Sequence, residues 1–358
     1  MNKLRFLLIF FILLFVLLEV TLRVVQMVPS GSATFVSDEN IGVRMRANIP
    51  LDHGDRTNAL GFNDVDHSTD VSKGTSHLAI VGDSFVFGVV KRDLNFAQVL
   101  QRKFDEGNRD IRVMNMGIPG IGPKNYLMLL KNDAKKHMAD TVYVMFFVGN
   151  DLVESHPDFK TKIAFGSIRQ VLEKPYTIGM DKEYFSSYRM FRAGLRMIRE
   201  RYLDPQREDG ATFSRAGYLA IEKQRAIVFK TDMSQYTRRS YDHAVALLHE
   251  LAETAAAQSM DLKVILAPDE IQVDEQLRAD VFNNSNLYPS EYDFTQPQKI
   301  LSEQLDKKGI AYIDLLPAFV DAGKTRKLYK KYDSHWNEEG NKLAAELIYA
   351  ARFEADRN

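Results

Sequence analysis

Apolar residues fall into short runs along most of the chain, and five of these runs have the length of buried strands. The predicted strands are residues 78–81, 111–116, 142–148, 262–267 and 311–315. Between most of them, apolar residues recur at helical spacing. These helical faces comprise Phe96, Val99, Leu100 and Phe104; Tyr126, Leu127 and Leu130; Ala244, Leu247, Leu248 and Leu251; and Leu343, Leu347 and Ala351. Strands that alternate with helices predict an α/β three-layer sandwich, in which a mainly parallel five-stranded sheet is covered on both faces.

The first 28 residues have a different pattern. Lys3 and Arg5 precede an uninterrupted apolar run over residues 6–18, and further apolar residues follow Glu19. This pattern is typical of an export signal, although the run is shorter than the roughly 20 residues of an ideal spanning helix. No small-x-small cleavage site follows closely, so we expect residues 1–28 to be an uncleaved signal anchor with a cytoplasmic N-terminus. A buried N-terminal helix of a cytosolic protein is the alternative.

Two later segments also depart from the alternation of strands and helices. Residues 29–76 are rich in Gly, Asn, Asp and Ser, which predicts a linker and an irregular N-terminal segment. The main domain is then expected over residues 77–358. Within it, residues 152–238 are far longer than an ordinary connection, so we expect a helical insertion there.

The predicted insertion contains an amphipathic stretch with a row of arginines. Its apolar face comprises Tyr188, Phe191, Leu195, Ile198 and Tyr202, and the arginines beside it are Arg189, Arg192, Arg196 and Arg199. One interpretation is a lid that meets lipid headgroups or an anionic polymer. The other is the solvated face of a helix that packs on the core.

Composition and charge exclude several classes of function. The 358 residues include 47 Lys and Arg and 48 Asp and Glu, so the formal net charge of -1 creates no global attraction to nucleic acid. The chain has no cysteine, which excludes disulfides, thiolate nucleophiles and thiolate metal ligands. Apart from His335, which is considered below, none of the eight histidines has the spacing of metal ligands, so the sequence predicts no metal site.

Candidate chemistry begins where the first predicted strand ends. Ser84 follows Gly82 and Asp83 there and directly precedes a predicted helix. In open α/β sheets, ligands bind at the carboxyl ends of strands, where helix N-termini present free backbone N–H groups. A serine at this place can therefore be a nucleophile and supply an oxyanion donor. A helix N-cap is the alternative for Ser84.

The ends of the second and third predicted strands carry further candidates. Gly117 can offer a backbone N–H that no side chain obstructs, and Asn150 can offer a side-chain amide. Both would donate hydrogen bonds to an oxyanion. Turn geometry is the alternative for Gly117, and an Asx turn is the alternative for Asn150.

A histidine near the C-terminus can complete this set. His335 lies in the sequence YDSHWN, just before the last helical pattern. It would take the hydroxyl proton of Ser84 and later return a proton to the leaving group. Asp333 would hold the correct tautomer of His335 and stabilise the imidazolium. The other seven histidines lack such a context.

The order of Ser84, Gly117, Asn150 and His335 resembles that of the SGNH (GDSL-like) hydrolases, over roughly residues 78–353 apart from the insertion. The resemblance implies a flavodoxin-like sheet and an esterase mechanism through an acyl-enzyme, without a cofactor. It makes Ser84 the nucleophile, His335 the base, and Gly117, Asn150 and the Ser84 N–H the oxyanion hole. One departure concerns the acid, because most of the family has it three residues before the histidine and this chain has Asp333 two before.

The Asp-x-His-Trp arrangement resembles a narrower branch, the alginate O-acetylation proteins and their relatives in bacterial exopolysaccharide loci. The segment PDEIQ at residues 268–272 is similar to that branch as well, and its polar side chains are either sugar contacts or parts of a turn. This resemblance implies an extracytoplasmic enzyme at the cytoplasmic membrane that acts on acyl esters of an envelope glycan, with polysaccharide machinery as a possible partner. The alternative is a carbohydrate-binding or assembly component that keeps the fold without turnover.

Overall fold

The computed structural model describes residues 3–27, 34–52, 54–67, 75–164, 167–172, 210–283, 285 and 287–354. Its strands are β1 Phe35–Asp38, β2 Gly42–Met45, β3 Ser76–Gly82, β4 Ile111–Gly117, β5 Thr141–Phe147, β6 Phe159–Ala164, β7 Ser167–Leu172, β8 Asp261–Ala267 and β9 Ala311–Asp314. Its α-helices are α1 Lys3–Met27, α2 Ser84–Phe87, α3 Phe96–Glu106, α4 Pro123–Leu129, α5 Asp151–Glu154, α6 Arg215–Arg225, α7 Gln235–Ala257, α8 Glu270–Val273, α9 Glu275–Asn283, α10 Gln296–Lys307, α11 Leu316–Gly323 and α12 Glu338–Glu354.

The centre of the fold is a five-stranded sheet in the order β4-β3-β5-β8-β9, and every neighbouring pair in it is parallel. All five predicted strands are confirmed, and their ends move by no more than two residues. This is the flavodoxin-like order, in which the chain reverses its direction of winding between β3 and β5. The carboxyl ends of these two strands therefore border the crevice where such sheets bind ligands.

Both faces of the sheet are buried, which explains why its strands read as continuous apolar runs. Leu78 and Ile80 pack on one face under α3, α11 and α12, whereas Ala79 and Val81 pack on the other face under α4, α7 and α10. The helical faces predicted from the sequence coincide with α3, α4, α7 and α12. The predicted three-layer arrangement is confirmed.

The segment before the sheet is more regular than predicted. β1 and β2 form an antiparallel hairpin, and Ile41, Val43 and Phe62 are buried in the main core. Arg44 joins this hairpin to the sheet domain through a 2.7 Å ion pair with Asp133. The prediction of an irregular linker is therefore wrong for residues 35–45, because strands of four residues are too short to give a clear alternating pattern.

The N-terminal residues Lys3–Met27 form the helix α1. The large apolar side chains from Phe6 to Leu18 lie exposed on it. Among the residues that the structure describes, no helix combines the length and hydropathy that a membrane crossing needs. The transmembrane anchor stays a prediction from the sequence.

The structure describes the two ends of the predicted insertion. β6 and β7 pair as an antiparallel hairpin after α5, and the chain returns through α6 to α7. The C-terminal end of α6 contacts the site described below. The row of arginines predicted between residues 189 and 199 lies outside the described residues.

Candidate active site

Ser84 lies on a tight turn between the end of β3 and the start of α2. Asp83 caps the helix, because its Oδ1 accepts a 2.9 Å hydrogen bond from the Phe85 N–H. Asp83 is buried, and this burial raises the pKa of its carboxyl, against the effects of the Phe85 N–H and of His335 and Arg225. The cap is therefore Asp83 and not Ser84, which leaves the serine hydroxyl partly exposed at the edge of the sheet.

Three buried asparagines hold this turn in place. Asn95 donates to the carbonyls of Val86 and Phe87 at 3.0 and 3.1 Å, and Asn115 donates to Val86 at 2.7 Å. Asn63 donates to the Phe87 carbonyl at 2.9 Å. A helix of one turn cannot bond these carbonyls itself, so the side chains satisfy them and fix the position of the serine.

The fold brings Ser84, His335 and Asp333 into one hydrogen-bonded line. His335 Nε2 lies 2.8 Å from Ser84 Oγ, although 251 positions separate the two residues in sequence. On the other side of the ring, Nδ1 lies 2.6 Å from Asp333 Oδ1. With Nδ1 protonated toward the carboxylate, Nε2 is free to accept the serine proton.

Asp333 is held in its charged form by the donors around it. Its burial opposes ionisation, but the His335 ring and the Thr212 hydroxyl, which donates at 2.6 Å, lower the pKa of Asp333 to about 2. The backbone N–H of His335 adds a third donor at 3.1 Å. The carboxylate therefore stays charged at any pH above about 3.

The loop that carries His335 explains the unusual spacing of the acid. Tyr329 and Trp336 pair across it, and Tyr332 has a left-handed φ of 48° at its turn. This turn lets Asp333 reach the histidine ring from two positions upstream. Trp336 is 2% exposed and packs edge-on against Phe85, with 5.1 Å between the two ring centres. It therefore anchors the loop in the core.

Asn337 follows this loop and caps α12. Its Oδ1 accepts from the Gly340 N–H at 3.0 Å, and its amide donates to the carbonyls of Lys327 and Tyr329 at 2.9 and 3.2 Å. The cap thus joins the last helix to the loop that carries the histidine.

Asn150 follows the end of β5, as predicted, and its side chain contacts the inserted segment. Its Oδ1 accepts a 3.0 Å hydrogen bond from Arg225, which belongs to the inserted segment. Its side chain also lies close enough to Asp83 to oppose the rise in the pKa of that buried carboxyl. Asn150 thus lies beside the turn that carries the serine, where its amide can donate.

Gly117 has a different role in the structure from the one predicted for it. Its backbone N–H already donates to Asn115 Oδ1 at 2.9 Å, and the residue is buried. A Cβ built on Gly117 would lie 2.0 Å from the Phe87 nitrogen. The glycine is therefore needed for the close approach of β4 to the serine turn, and the geometry gives no support to Gly117 as an oxyanion donor.

The PDEIQ segment after β8 forms a turn into α8. Gln272 Oε1 accepts from the Asp269 N–H at 2.9 Å in a capping box, and Gln272 donates to Gln298 at 2.7 Å. Asp269 and Gln272 are buried. Of the two interpretations of their side chains, the structure therefore favours parts of a turn.

Part of this chain matches a known protein family. Residues 228–356 match the family model described as SGNH hydrolase-like domain, acetyltransferase AlgX. The chain carries an SGNH hydrolase-like domain. The matched stretch contains Asp333 and His335, and the fold adds Ser84 and Asn150 to it from the N-terminal half. The protein is accordingly an enzyme of the SGNH ester hydrolase or O-acyltransferase class.

Solved structures of similar architecture are distant in sequence. A lipase/acylhydrolase from Enterococcus faecalis is 13% identical, with 79% of this chain and 97% of that chain covered and a TM-score of 0.41. A catalytic mutant of an acetylxylan esterase from Geobacillus stearothermophilus is also 13% identical, with coverage of 78% and 94% and a TM-score of 0.41. No curated protein matched the chain in sequence.

A cluster of buried acids adjoins the site of the SGNH hydrolase-like domain. Glu222 and Asp269 are both fully buried beside Arg225, and burial together with the charge of Asp269 raises the pKa of Glu222 well above its usual range. Glu270 accepts from the Tyr218 hydroxyl, and burial raises its pKa to about 8. Within the described ranges, no three His, Cys, Asp or Glu side chains form a metal site.

We expect the stability of the domain to depend on the protonation of Glu270. Because its pKa rises from 4.5 when unfolded to about 8 when folded, the contribution of the neutral form is complete below pH 4.5 and is lost as the pH rises to 8. Glu270→Gln keeps a neutral acceptor for Tyr218 and should be more stable than the wild type at pH 9, by about 2 kcal/mol, and no more stable at pH 4. Urea unfolding at both pH values measures this, and an equal difference at the two would contradict it.

Sequence reasoning missed the residues that support the site of the SGNH hydrolase-like domain. Thr212 and Arg225 lie in the predicted insertion, and each contacts one of the predicted site residues. Asp83 belongs to the motif around the serine, but its role as the cap of α2 is not predicted from the sequence. The sequence signal was weak, because a threonine or arginine inside a long connection is indistinguishable from a surface residue until the chain folds back.

Proposed function

We propose that this protein cleaves or transfers an O-acyl ester through an acyl-enzyme on Ser84. The observation that carries the proposal is the line from Ser84 Oγ to His335 Nε2 at 2.8 Å and from His335 Nδ1 to Asp333 at 2.6 Å. This is the arrangement of a nucleophile, its base and the group that orients the base. The partial exposure of Ser84 leaves the hydroxyl open to a substrate.

The proposed reaction has two halves that use the same three side chains. Ser84 Oγ gives its proton to His335 Nε2 and bonds to the acyl carbon, while the negative charge moves to the former carbonyl oxygen. His335 then protonates the leaving alcohol as its bond to the acyl carbon breaks. In the second half, a hydroxyl gives its proton to His335 and bonds to the acyl carbon. The bond between Ser84 Oγ and the acyl carbon then breaks, and His335 returns the proton to Ser84 Oγ.

Two donors in the described part can stabilise the oxyanion. The Ser84 N–H is at the first position of α2, where a helix leaves its N–H groups without an intrahelical partner. The Asn150 side chain, which follows the end of β5, lies near Asp83, the residue before the serine. Removing one such donor from an enzyme costs about 10²- to 10³-fold in kcat.

We propose acetyl as the acyl group and a hydroxyl of a bacterial envelope glycan as the acceptor. Two findings support this: the Asp-x-His-Trp arrangement in the sequence, and the match of residues 228–356 to a family described by an acetyltransferase. A bound sugar hydroxyl can compete with water, because well-oriented groups reach effective concentrations of about 10⁵ M or more.

An acceptor assay tests the proposed transfer. Purified protein is incubated with 4-nitrophenyl acetate and a panel of envelope oligosaccharides, and acetylated sugar and free acetate are both quantified by mass spectrometry. We expect acetylated sugar with the wild type and none with Ser84→Ala. Ester consumption without any acetylated sugar would leave a hydrolase and remove the transferase. A lack of both ester turnover and labelling of Ser84 by an organophosphonate would favour the non-catalytic alternative.

We also propose that the protein acts on the extracytoplasmic side of the cytoplasmic membrane. The support is the sequence pattern of Lys3 and Arg5 before an apolar run, whose side chains lie exposed on α1. Cell fractionation with protease treatment of spheroplasts tests this location. Protection of the domain from the protease would contradict it.

A further inference from the structure

Arg225 joins the predicted oxyanion amide to the buried acids. It is the last residue of α6, so it belongs to the returning end of the insertion. One guanidinium nitrogen, Nη2, donates to Asn150 Oδ1 at 3.0 Å, and the other, Nη1, donates to Glu222 Oε1 at 3.0 Å. The same guanidinium lies 5.3 Å from the centre of the Phe147 ring. These contacts fix the arginine on three sides.

The contact with Arg225 decides which way the Asn150 amide points. A side-chain amide has an oxygen that only accepts and a nitrogen that only donates, and the two ends are similar in shape. If the amide of Asn150 turned over, its NH₂ group would face the donor Nη2 of Arg225, and both donors would lose a partner. Arg225 therefore excludes the orientation in which the oxygen of Asn150 points toward the serine turn.

A second neighbour, Asp83, favours the same orientation of the Asn150 amide, with its NH₂ group turned toward the serine turn. The Asn150 side chain lowers the pKa of the buried Asp83 carboxyl, as a donor turned toward that carboxyl does, and the only donor of an amide side chain is its NH₂ group. That group has two N–H bonds, so one remains available for an oxyanion. The positively charged guanidinium that donates to the amide oxygen also strengthens donation from the amide nitrogen, because hydrogen bonds in series polarise one another.

The arginine is kept in place by the acids behind it. Glu222 is 0% exposed and contacts Nη1, and Asp269 lies 3.9 Å from the same nitrogen. The guanidinium is itself only 15% exposed. Buried hydrogen-bond partners of this kind hold an arginine in one geometry more narrowly than partners at the surface can.

We propose that Arg225 is a positioning residue that holds Asn150 in its donor orientation and so supports stabilisation of the oxyanion. The inference rests on the proposed function of Ser84 and deepens it, because it gives the inserted segment a part in the reaction. Arg225 itself does not touch the reacting atoms. Its contribution should therefore disappear when Asn150 cannot donate.

The first measurement is the effect of Arg225→Met on the hydrolysis of 4-nitrophenyl acetate. Methionine keeps much of the side-chain volume and removes the donors. We expect kcat to fall about 10- to 100-fold, which is less than the loss of a whole oxyanion donor, and KM to change by less than about 3-fold. A shift in KM alone would contradict the inference, since the contact would then serve substrate binding.

A matched control and a compensated variant separate this effect from misfolding. Lys223→Met removes a positive charge from an exposed position on the same helix, and its kcat should stay within about 2-fold of the wild type. Arg225→Met leaves Glu222 and Asp269 without their cation, which can destabilise the fold. Arg225→Met combined with Glu222→Gln removes one acid as well, and it should show the same fall in kcat with a melting temperature closer to the wild type.

A double-variant cycle with Asn150→Ala decides whether Arg225 acts through the amide. In that background we expect Arg225→Met to lower kcat by less than about 2-fold, because the amide that it orients is gone. An equal fall in both backgrounds would overturn the inference, since it would show a general structural effect or a direct action on the oxyanion.

The failure of this inference is distinguishable from the failure of the proposed function. If the wild type hydrolyses the ester and Ser84→Ala does not, but Arg225→Met matches the wild type, only the role of Arg225 is refuted. If the wild type shows neither turnover nor phosphonate labelling of Ser84, the proposed function is refuted and the role of Arg225 falls with it.

Discussion

Ser84→Ala and His335→Ala should each lower ester turnover by at least about 10³-fold while the protein stays folded. The serine variant removes the atom that forms the acyl-enzyme. The histidine variant removes the base that lies 2.8 Å from that atom. Because the two residues act as one unit, the double variant should be little worse than either single one. Steady-state rates with matched melting curves measure this.

Substitutions of the same residue types elsewhere provide the controls. Ser302→Ala alters a serine on α10, and His249→Ala alters a half-exposed histidine on α7. Both should keep turnover close to that of the wild type. Turnover of Ser84→Ala within 10-fold of the wild type would exclude the serine mechanism.

The acid should matter less than the serine and the histidine, although its loss is still large. Asp333→Asn is expected to cost about 10²- to 10⁴-fold, because an amide has one acceptor where the carboxylate serves the His335 ring, the His335 N–H and Thr212. Since the pKa of Asp333 is lowered to about 2, its stabilising charge is complete above about pH 4 and is lost as the pH falls toward 2. The pH profile of kcat/KM above pH 4 should therefore show no ionisation of Asp333.

Gly117→Ala should destabilise the domain by about 3 kcal/mol or more. The added Cβ would lie 2.0 Å from the Phe87 nitrogen and 2.6 Å from the Val86 carbonyl carbon. Both are backbone atoms of the serine turn, so the turn itself must move. We therefore expect a lower urea midpoint together with a loss of ester turnover.

Gly217→Ala is the control for this substitution. Gly217 lies in α6, where its Cβ would meet only the movable hydroxyl of Ser214 at 3.2 Å, and alanine favours a helix over glycine. It should leave stability unchanged or slightly raised. If Gly117→Ala kept full stability but lost turnover, the glycine would serve the oxyanion as the sequence suggests, and the packing role would be wrong.

The sheet and the order of the site residues along it can be predicted from the amino-acid sequence. Strands buried on both faces leave continuous apolar runs, and helices covered on one face leave a 3.6-residue period, so both patterns survive in the sequence. The parallel sheet then brings Ser84 and Asn150 to one edge, because both follow strands that end there. His335 follows no strand directly, so its pairing with Ser84, 251 positions away, was indicated by its motif and by the resemblance in motif order.

The hydrogen-bond partners of the candidate side chains become known only from the folded chain. Gly117 looked like an oxyanion donor, but its N–H is taken by Asn115, and only the packed turn shows why a glycine is needed there. Thr212 and Arg225 carried no signal in the sequence, because their partners Asp333 and Asn150 lie 121 and 75 positions away. Contacts of this kind follow from how a loop folds back onto the sheet, and loops have no periodic pattern from which that return can be read.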